Sequence, residues 1–219
     1  MNLAKLIQLA REATQDLAEP YIWTDAEWAE FADDAELEAA RRAHLLVDAS
    51  SPAARAVVTA SDPVVKLDPR VLFIRRARLA SSSVPLNMRV TRRMDDEVAG
   101  WETAKPSTPS VLIPDWETGA VRLYPPPTQD DELVLTVVRA PLAEMGGDLT
   151  REPEILQRYH RSLVDWMKYR AYSKPDTQSF DPKAAEKAEA KFAAEFGEKS
   201  GAINEHWALE QYYDVGDFQ

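Results

Sequence analysis

Apolar residues recur at three- and four-residue spacing near both ends of the chain and gather into short β-branched runs in the middle. Leu3, Leu6, Ile7, Ala10, Ala13 and Leu17 form the stripe of an amphipathic helix that ends before Pro20. A second helix is predicted from about Asp25 to about Val47, with Trp28, Phe31, Ala32, Ala35, Ala39, Ala43 and Leu46 along one side. Its start carries the sharpest local signal in the sequence, Trp23-Thr24-Asp25-Ala26-Glu27-Trp28. Thr24 is placed to cap the helix and Glu27 to reach back and complete a capping box, while Trp23 and Trp28 fall at the two positions of a hydrophobic staple. Leu37 and Leu45 lie off the main stripe, a smaller apolar face that suits a second neighbour such as another copy of the chain.

From about Ser50 the texture changes to strands, predicted at Ala56–Thr59, Val64–Leu67, Val71–Ile74, Leu86–Val90, Ser110–Ile113, Ala120–Tyr124 and Leu133–Arg139. Gly119 supplies the positive φ that a hairpin bulge needs, and Pro125-Pro126-Pro127 cannot donate to a ladder, so the strand before it must stop or become an edge. Gly146-Gly147 marks a boundary. Pro153 suits the first turn of a third helix, with Ile155, Leu156, Tyr159, Leu163, Trp166, Met167 and Tyr169 on a broad apolar arc that ends at Lys174-Pro175. Asp181 and Pro182 open a fourth, whose Ala185, Ala188, Phe192 and Phe196 share one face up to Gly197. The expected fold is α+β: a helical bundle from residues 1–49 and 148–200, an inserted small antiparallel β module over 50–147, and an extended tail over 201–219. That tail sets Trp207, Leu209, Tyr212, Tyr213 and Phe218 among acids, and burying such rings against a partner is favourable by roughly 1.5–3 kcal/mol each.

Composition narrows the chemistry. With no cysteine, disulfides, thiolate ligands and thiol nucleophiles are all removed. No apolar run approaches the roughly 20 residues of a membrane span, and the first residues do not read as a secretory signal. The net charge of −11 lies mostly in the outer segments, a sign that repels phosphate and argues against sequence-specific nucleic-acid binding. His44, His160 and His206 form no metal-ligand spacing and are read as surface or half-buried helix residues. The acid groups Asp33-Asp34, Asp95-Asp96-Glu97 and Asp130-Asp131-Glu132 lack calcium-loop spacing and are read as solvated turns and helix faces. No glycine loop cradles phosphate and no serine sits in a nucleophile elbow, so neither catalysis nor a cofactor is expected. Arg75, Arg76, Arg78, Arg89, Arg92 and Arg93 concentrate positive charge in the β module, either as an ordinary polar sheet face or as contacts to the acidic segments of a neighbouring copy.

The order of elements, two helices, a β module with a Pro-rich strand end, two further helices and an aromatic tail, resembles the head-to-tail adaptor (connector) proteins of tailed bacteriophages. The resemblance is carried by Trp23–Trp28, by Gly119-Ala120-Val121-Arg122-Leu123-Tyr124-Pro125-Pro126-Pro127, and by Leu163–Tyr172 followed by Ala188–Gly197, and it covers most of residues 20–200. It implies a non-enzymatic virion protein at the head–tail interface, assembled in the host cytoplasm. It further implies a ring of copies, usually twelve, with portal protein above, tail nozzle or fibre proteins below, and genomic DNA passing through the bore. In such proteins the helical part builds the ring, and in some a C-terminal extension grips the portal, a role that here falls by extrapolation to Ile203–Gln219. Another phage connector or completion protein, and a stand-alone interaction module, remain the alternatives.

Overall fold

The computed structural model describes residues 1–175, 179–199, 201 and 213. The described chain forms two compact units, one of Met1–Leu46 with Ala140–Lys199, the other of Val47–Arg139 together with Tyr213. The fold is α+β.

In the helical unit, α1 spans Leu3–Thr14, α2 Asp25–Ala43, α4 Leu163–Ser173 and α5 Pro182–Phe196. The first turn of α1 is satisfied from three sides: Lys5 N–H by the Asn2 side chain at 3.1 Å, Leu3 N–H by the Arg151 carbonyl at 2.8 Å, and Ala4 N–H by that of Leu149 at 3.0 Å. The helix stops at Thr14, where Gln15 turns left-handed. Leu17, predicted on its stripe, is 59% exposed beyond that stop. His44 closes α2 in the same way, three residues short of the predicted end. Leu3, Leu6, Trp28, Ala32, Ala35, Ala39, Leu163, Met167 and Phe192 meet in one core, where the alanines of α2 let neighbouring helices approach closely.

The predicted third helix does not begin at Pro153. A 3-10 turn over Gln157–Ser162 leads into α4 only at Leu163, and Leu156 is 57% exposed. The cause lies in other parts of the chain. Glu36 of α2 accepts the backbone N–H groups of Glu154 and Ile155, and the imidazole Nε2 of His160 lies 2.8 Å from the Ile155 carbonyl. A residue whose N–H and C=O are both held by side chains has no group left for a helical ladder. His160, read from the sequence as a surface or half-buried helix residue, is 2% exposed and lies in the 3-10 turn.

The β unit holds two four-stranded sheets. In the first, β8 (Asp131–Arg139) is central. It pairs antiparallel with β4 (Val71–Leu79) along one side, and with β1 (Val47–Asp48) and β2 (Arg55–Val58) in succession along the other. The second has the order β3 (Val64–Lys66), β7 (Ala120–Tyr124), β6 (Val111–Glu117), β5 (Asn87–Met88). The β5–β6 pairing is parallel, so the module is not purely antiparallel as expected. Ala56, Val58, Ile74, Leu79, Leu133 and Leu135 from one sheet pack with Val65, Leu112, Val121 and Leu123 from the other. The outer face of the second sheet is covered by the unpredicted helix α3 (Thr91–Glu97) and Trp101, which bury Val111 and Ile113. Two covered faces explain why β7 reads as an almost continuous buried run. Gly119 turns the β6–β7 hairpin at φ +76°, and β7 ends at Tyr124, immediately before the three prolines.

Candidate assembly surfaces

The Thr24 hydroxyl accepts the Glu27 N–H at 3.2 Å and the Glu27 carboxylate accepts the Thr24 N–H at 2.9 Å, so the capping box closes as predicted. Lys174 pairs with the same carboxylate and, ahead of the Thr24 N–H, holds Glu27 below its ordinary pKa. Trp23 and Trp28 meet edge to face at 5.2 Å, both fully buried, and Trp28 meets Phe31 at 5.6 Å. The staple is therefore core rather than a contact surface.

Two arginines that the sequence reading passed over organise this unit. Arg11 reaches Asp16 at 2.6 Å, the Trp23 carbonyl at 2.9 Å and Asp25 at 2.9 Å, while stacking on Tyr21. Asp16 in turn accepts the Ile22 N–H at 2.8 Å, so the link between α1 and α2 is wired by side chains. Arg42 donates to Glu38 at 3.0 Å, to Glu189 at 3.3 Å and to the Gly197 carbonyl at 3.3 Å, with its guanidinium over Trp166 and Phe192. Glu38 lies at helical spacing from Arg42 and Asp16 close to Arg11, but the partners that tie the elements together, Glu189, Asp25 and the Trp23 and Gly197 carbonyls, are distant in sequence or are backbone groups and carry no motif.

The acid pair Asp33-Asp34 is not a solvated face. Asp33 accepts the N–H groups of Met145 at 2.6 Å and Gly146 at 3.2 Å, and Asp34 pairs with Arg170. One turn on, Glu36 is 2% exposed, and burial pushes its carboxyl up to about 7, reinforced by the negative charges of Glu154 and Asp33 and opposed by the two amides it accepts. Asp33 and Glu36 thus clamp the chain between Met145 and Ile155 onto α2. For that reason residues 140–147 belong with the helices rather than with the β module, and Met145 lies in the helical core.

The arginines of the β unit are spread over several elements. Arg75 and Arg76 are adjacent and exposed where β4 bulges against β8. Arg78 spends its guanidinium on the carbonyls of Leu79 at 3.1 Å and Ser82 at 3.3 Å. Arg89 pairs with Glu97, and Arg92 and Arg93 lie on α3, the former exposed and the latter half-buried. Arg75, Arg76 and Arg92 make no ion pair with a described residue. Arg122 is a buried cation missed from the sequence, seated between Trp101 at 5.0 Å and Trp116 at 4.2 Å.

Of the predicted tail anchors, Trp207, Leu209, Tyr212 and Phe218 lie outside the described residues. Tyr213 lines a groove of about 380 Å³ with Leu67, Leu72, Phe73, Pro114 and Val121, and its hydroxyl accepts the Ile74 N–H at 2.8 Å. Apolar side chains also stand exposed elsewhere, notably Leu37 on α2 and Val57 on β2, the latter 80% exposed. Among the described residues no cluster of three or more His, Asp or Glu is placed to hold a metal ion, and no helix is long and apolar enough to cross a membrane. Among the described residues, three of the acidic and imidazole groups of the helical unit are directed at the backbone: Glu36, Asp33 and His160 hold main-chain groups.

Comparison with curated proteins finds no match. The model of the SU10 adaptor protein family matches residues 1–212, which takes in the helical unit and Val47–Arg139 of the other, and the chain therefore belongs to that family of phage adaptor proteins.

Proposed function

We propose that the chain is a non-catalytic ring subunit of a tailed-phage virion that joins portal to tail and forms part of the channel through which DNA leaves the head. The family match over residues 1–212 carries this reading. A closed ring needs one face of each copy to fit a different face of the next. Leu37, exposed on α2 opposite the buried alanine stripe, supports a contact of this kind through the helical unit. Arg75, Arg76 and Arg92 of the β unit are available for the acidic segments of a neighbour, whereas Arg78 and Arg93 take part less readily because one is held by carbonyls and the other is half-buried. The copy number is twelve. The tail residues Trp207, Leu209, Tyr212, Tyr213 and Phe218 anchor the subunit to portal or to a neighbouring copy. The β unit meets nozzle or fibre proteins, and a net charge of −11 lets DNA slide past without adhering.

The test is electron microscopy of the purified protein mixed with portal rings, together with a chain lacking Ile203–Gln219. The full chain should add a second ring beneath the portal, and the truncated chain should fail to attach. Attachment that survives the deletion removes the tail from the mechanism, and absence of the protein from mature particles removes the function.

A further inference from the structure

The link between α1 and α2 carries three apolar side chains that the helical core does not take in: Leu17, Tyr21 and Ile22 all stand exposed. The link is nevertheless held in place. Asp16 accepts the Ile22 N–H, Arg11 donates to Asp16 and to the Trp23 carbonyl, and the Arg11 guanidinium lies 3.9 Å from the centre of the Tyr21 ring. Ordering these residues is therefore completed in folding and is not charged again on binding, which suits them to act as contact anchors. Their surroundings are acidic. Glu19 and Asp25 are exposed, and the charge of buried Arg11 is taken up by Asp16 and Asp25.

The first sheet of the β unit presents the complement. Leu133, Leu135 and Val137 of β8 face the core, so by strand alternation Glu132, Val134 and Thr136 face outward. Beside them on that face are Arg55 and Val57 of β2 and Arg76 and Arg78 of β4, with Arg75 next to them at the bulge. Val57 and Arg76 are exposed there, and Val134 and Thr136 are half-buried. The one acid on this face, Glu132, is approached by Arg55 only to 3.9 Å. A strip of β-branched side chains edged by arginines fits an apolar knob edged by carboxylates. Neither surface fits itself, since one would set acid against acid and the other arginine against arginine.

We infer that the α1–α2 link of one copy docks on the outer face of the first sheet of the next copy, with Leu17, Tyr21 and Ile22 covering Val57 and Val134, and Glu19 facing Arg75 and Arg76. Both halves of the fit are carried by the same chain, which makes the occupant a second copy rather than a different virion protein. The inference rests on the copies forming a closed ring, as proposed above, and it names the two unlike faces that such a ring requires.

The experiment replaces Leu17 by p-benzoylphenylalanine in the full-length protein, mixes that chain with isotopically heavy wild type, alone and with portal rings, and maps the photo-cross-linked peptides by mass spectrometry. Light-to-heavy links from position 17 to peptides holding Val57, Arg75 and Arg76, or Val134 are expected in the assembled sample. Links confined to other peptides, or to portal, overturn the contact. In parallel, R75E/R76E should lower the fraction of portal rings that bear a second ring by roughly tenfold, because it sets like charge against Glu19 at every contact, and adding E19K should restore it. Wild-type occupancy in R75E/R76E, or no recovery on adding E19K, overturns the charge pairing. The cross-link map decides the contact even where a reversed variant fails to fold. A chain that adds no ring to the portal and gives no light-to-heavy link in either sample removes the ring reading and this contact with it; rings that form and link elsewhere remove the contact alone.

Discussion

Replacing Glu36 by Gln isolates the energetic cost of a buried charge in the helical unit. Burial raises the carboxyl from the ordinary 4.5 to about 7. The native state therefore binds its proton more tightly than the unfolded chain does, so the contribution to stability is full below about 4.5 and is lost as pH rises through 7. The gap of about 2.5 pH units, at ~1.4 kcal/mol for each, sets a full decline of about 3.5 kcal/mol, of which about 3 kcal/mol falls between pH 4.5 and 8. Gln keeps a carbonyl oxygen for the Glu154 and Ile155 amides but has no charge to desolvate. Urea unfolding at intervals from pH 4.5 to 8, followed by fluorescence, should show wild type weakening relative to E36Q by that amount. Asp48 and Asp68 lie below the window, Asp68 at about 2 because Arg70 stabilises its carboxylate, and so do not confuse the comparison. A wild-type minus E36Q difference that stays constant from pH 4.5 to 8 would falsify the argument.

Three further outcomes follow from the geometry. Trp28→Ala removes a fully buried ring between Trp23 and Phe31 and should cost about 3–5 kcal/mol in denaturant unfolding; a loss under 1 kcal/mol would mean that the staple is not the core of this unit. Arg42→Ala leaves Glu38 only the longer pairing with Arg41 at 3.6 Å and uncovers Trp166, with an expected loss of about 3 kcal/mol, and Arg42→Lys should recover little because an ammonium cannot both fork and stack; a lysine variant as stable as wild type refutes the stacking role. Asp48 is buried, which opposes its charge, yet the Ser51 hydroxyl, the Ser50 and Ser51 amides and Arg139 together hold it well below the usual carboxylate range. Its stabilisation is present above the ordinary 3.8 and is lost as pH falls below that value, so D48N should flatten the acid limb of unfolding below pH 4, and an unchanged limb counts against it.

The helix starts were legible because their signals are local. Thr24 and Glu27 are three residues apart, and Asp181 followed by Pro182 fixes the start of α5. The strands were legible from β-branched runs, and β7 ends where its prolines require. Long-range competition was not legible. Nothing near Pro153 signals that Glu36, more than a hundred residues away in sequence, fixes the Glu154 and Ile155 amides, or that His160 occupies the Ile155 carbonyl that a helical ladder would use. The short α3 carries no capping side chain and packs through Met94 alone, too weak a pattern to read. A strand was read at Leu86–Val90, but nothing local tells that it shrinks to Asn87–Met88 or that these two residues pair parallel with β6. Among the residues singled out from the sequence the same division holds: the Trp23–Trp28 staple is a matter of spacing, whereas Arg75 and Arg78 differ in the carbonyls that lie near the latter.

The helical unit is interrupted in sequence, and this sets an order on its synthesis. Met1–Leu46 leaves the ribosome first, yet its partners, Ala140–Lys199, follow only after the whole of Val47–Arg139 has been made. At bacterial elongation rates of about 5–20 residues per second, that is a wait on the order of 5–20 s, in which Trp23 and Trp28 lack Met167 and Phe192. The β unit, contiguous from Val47 to Arg139, has all its strands to hand before the helices can close. A nascent chain cut short therefore carries unfinished helices, and only complete translation yields a subunit with its helical core.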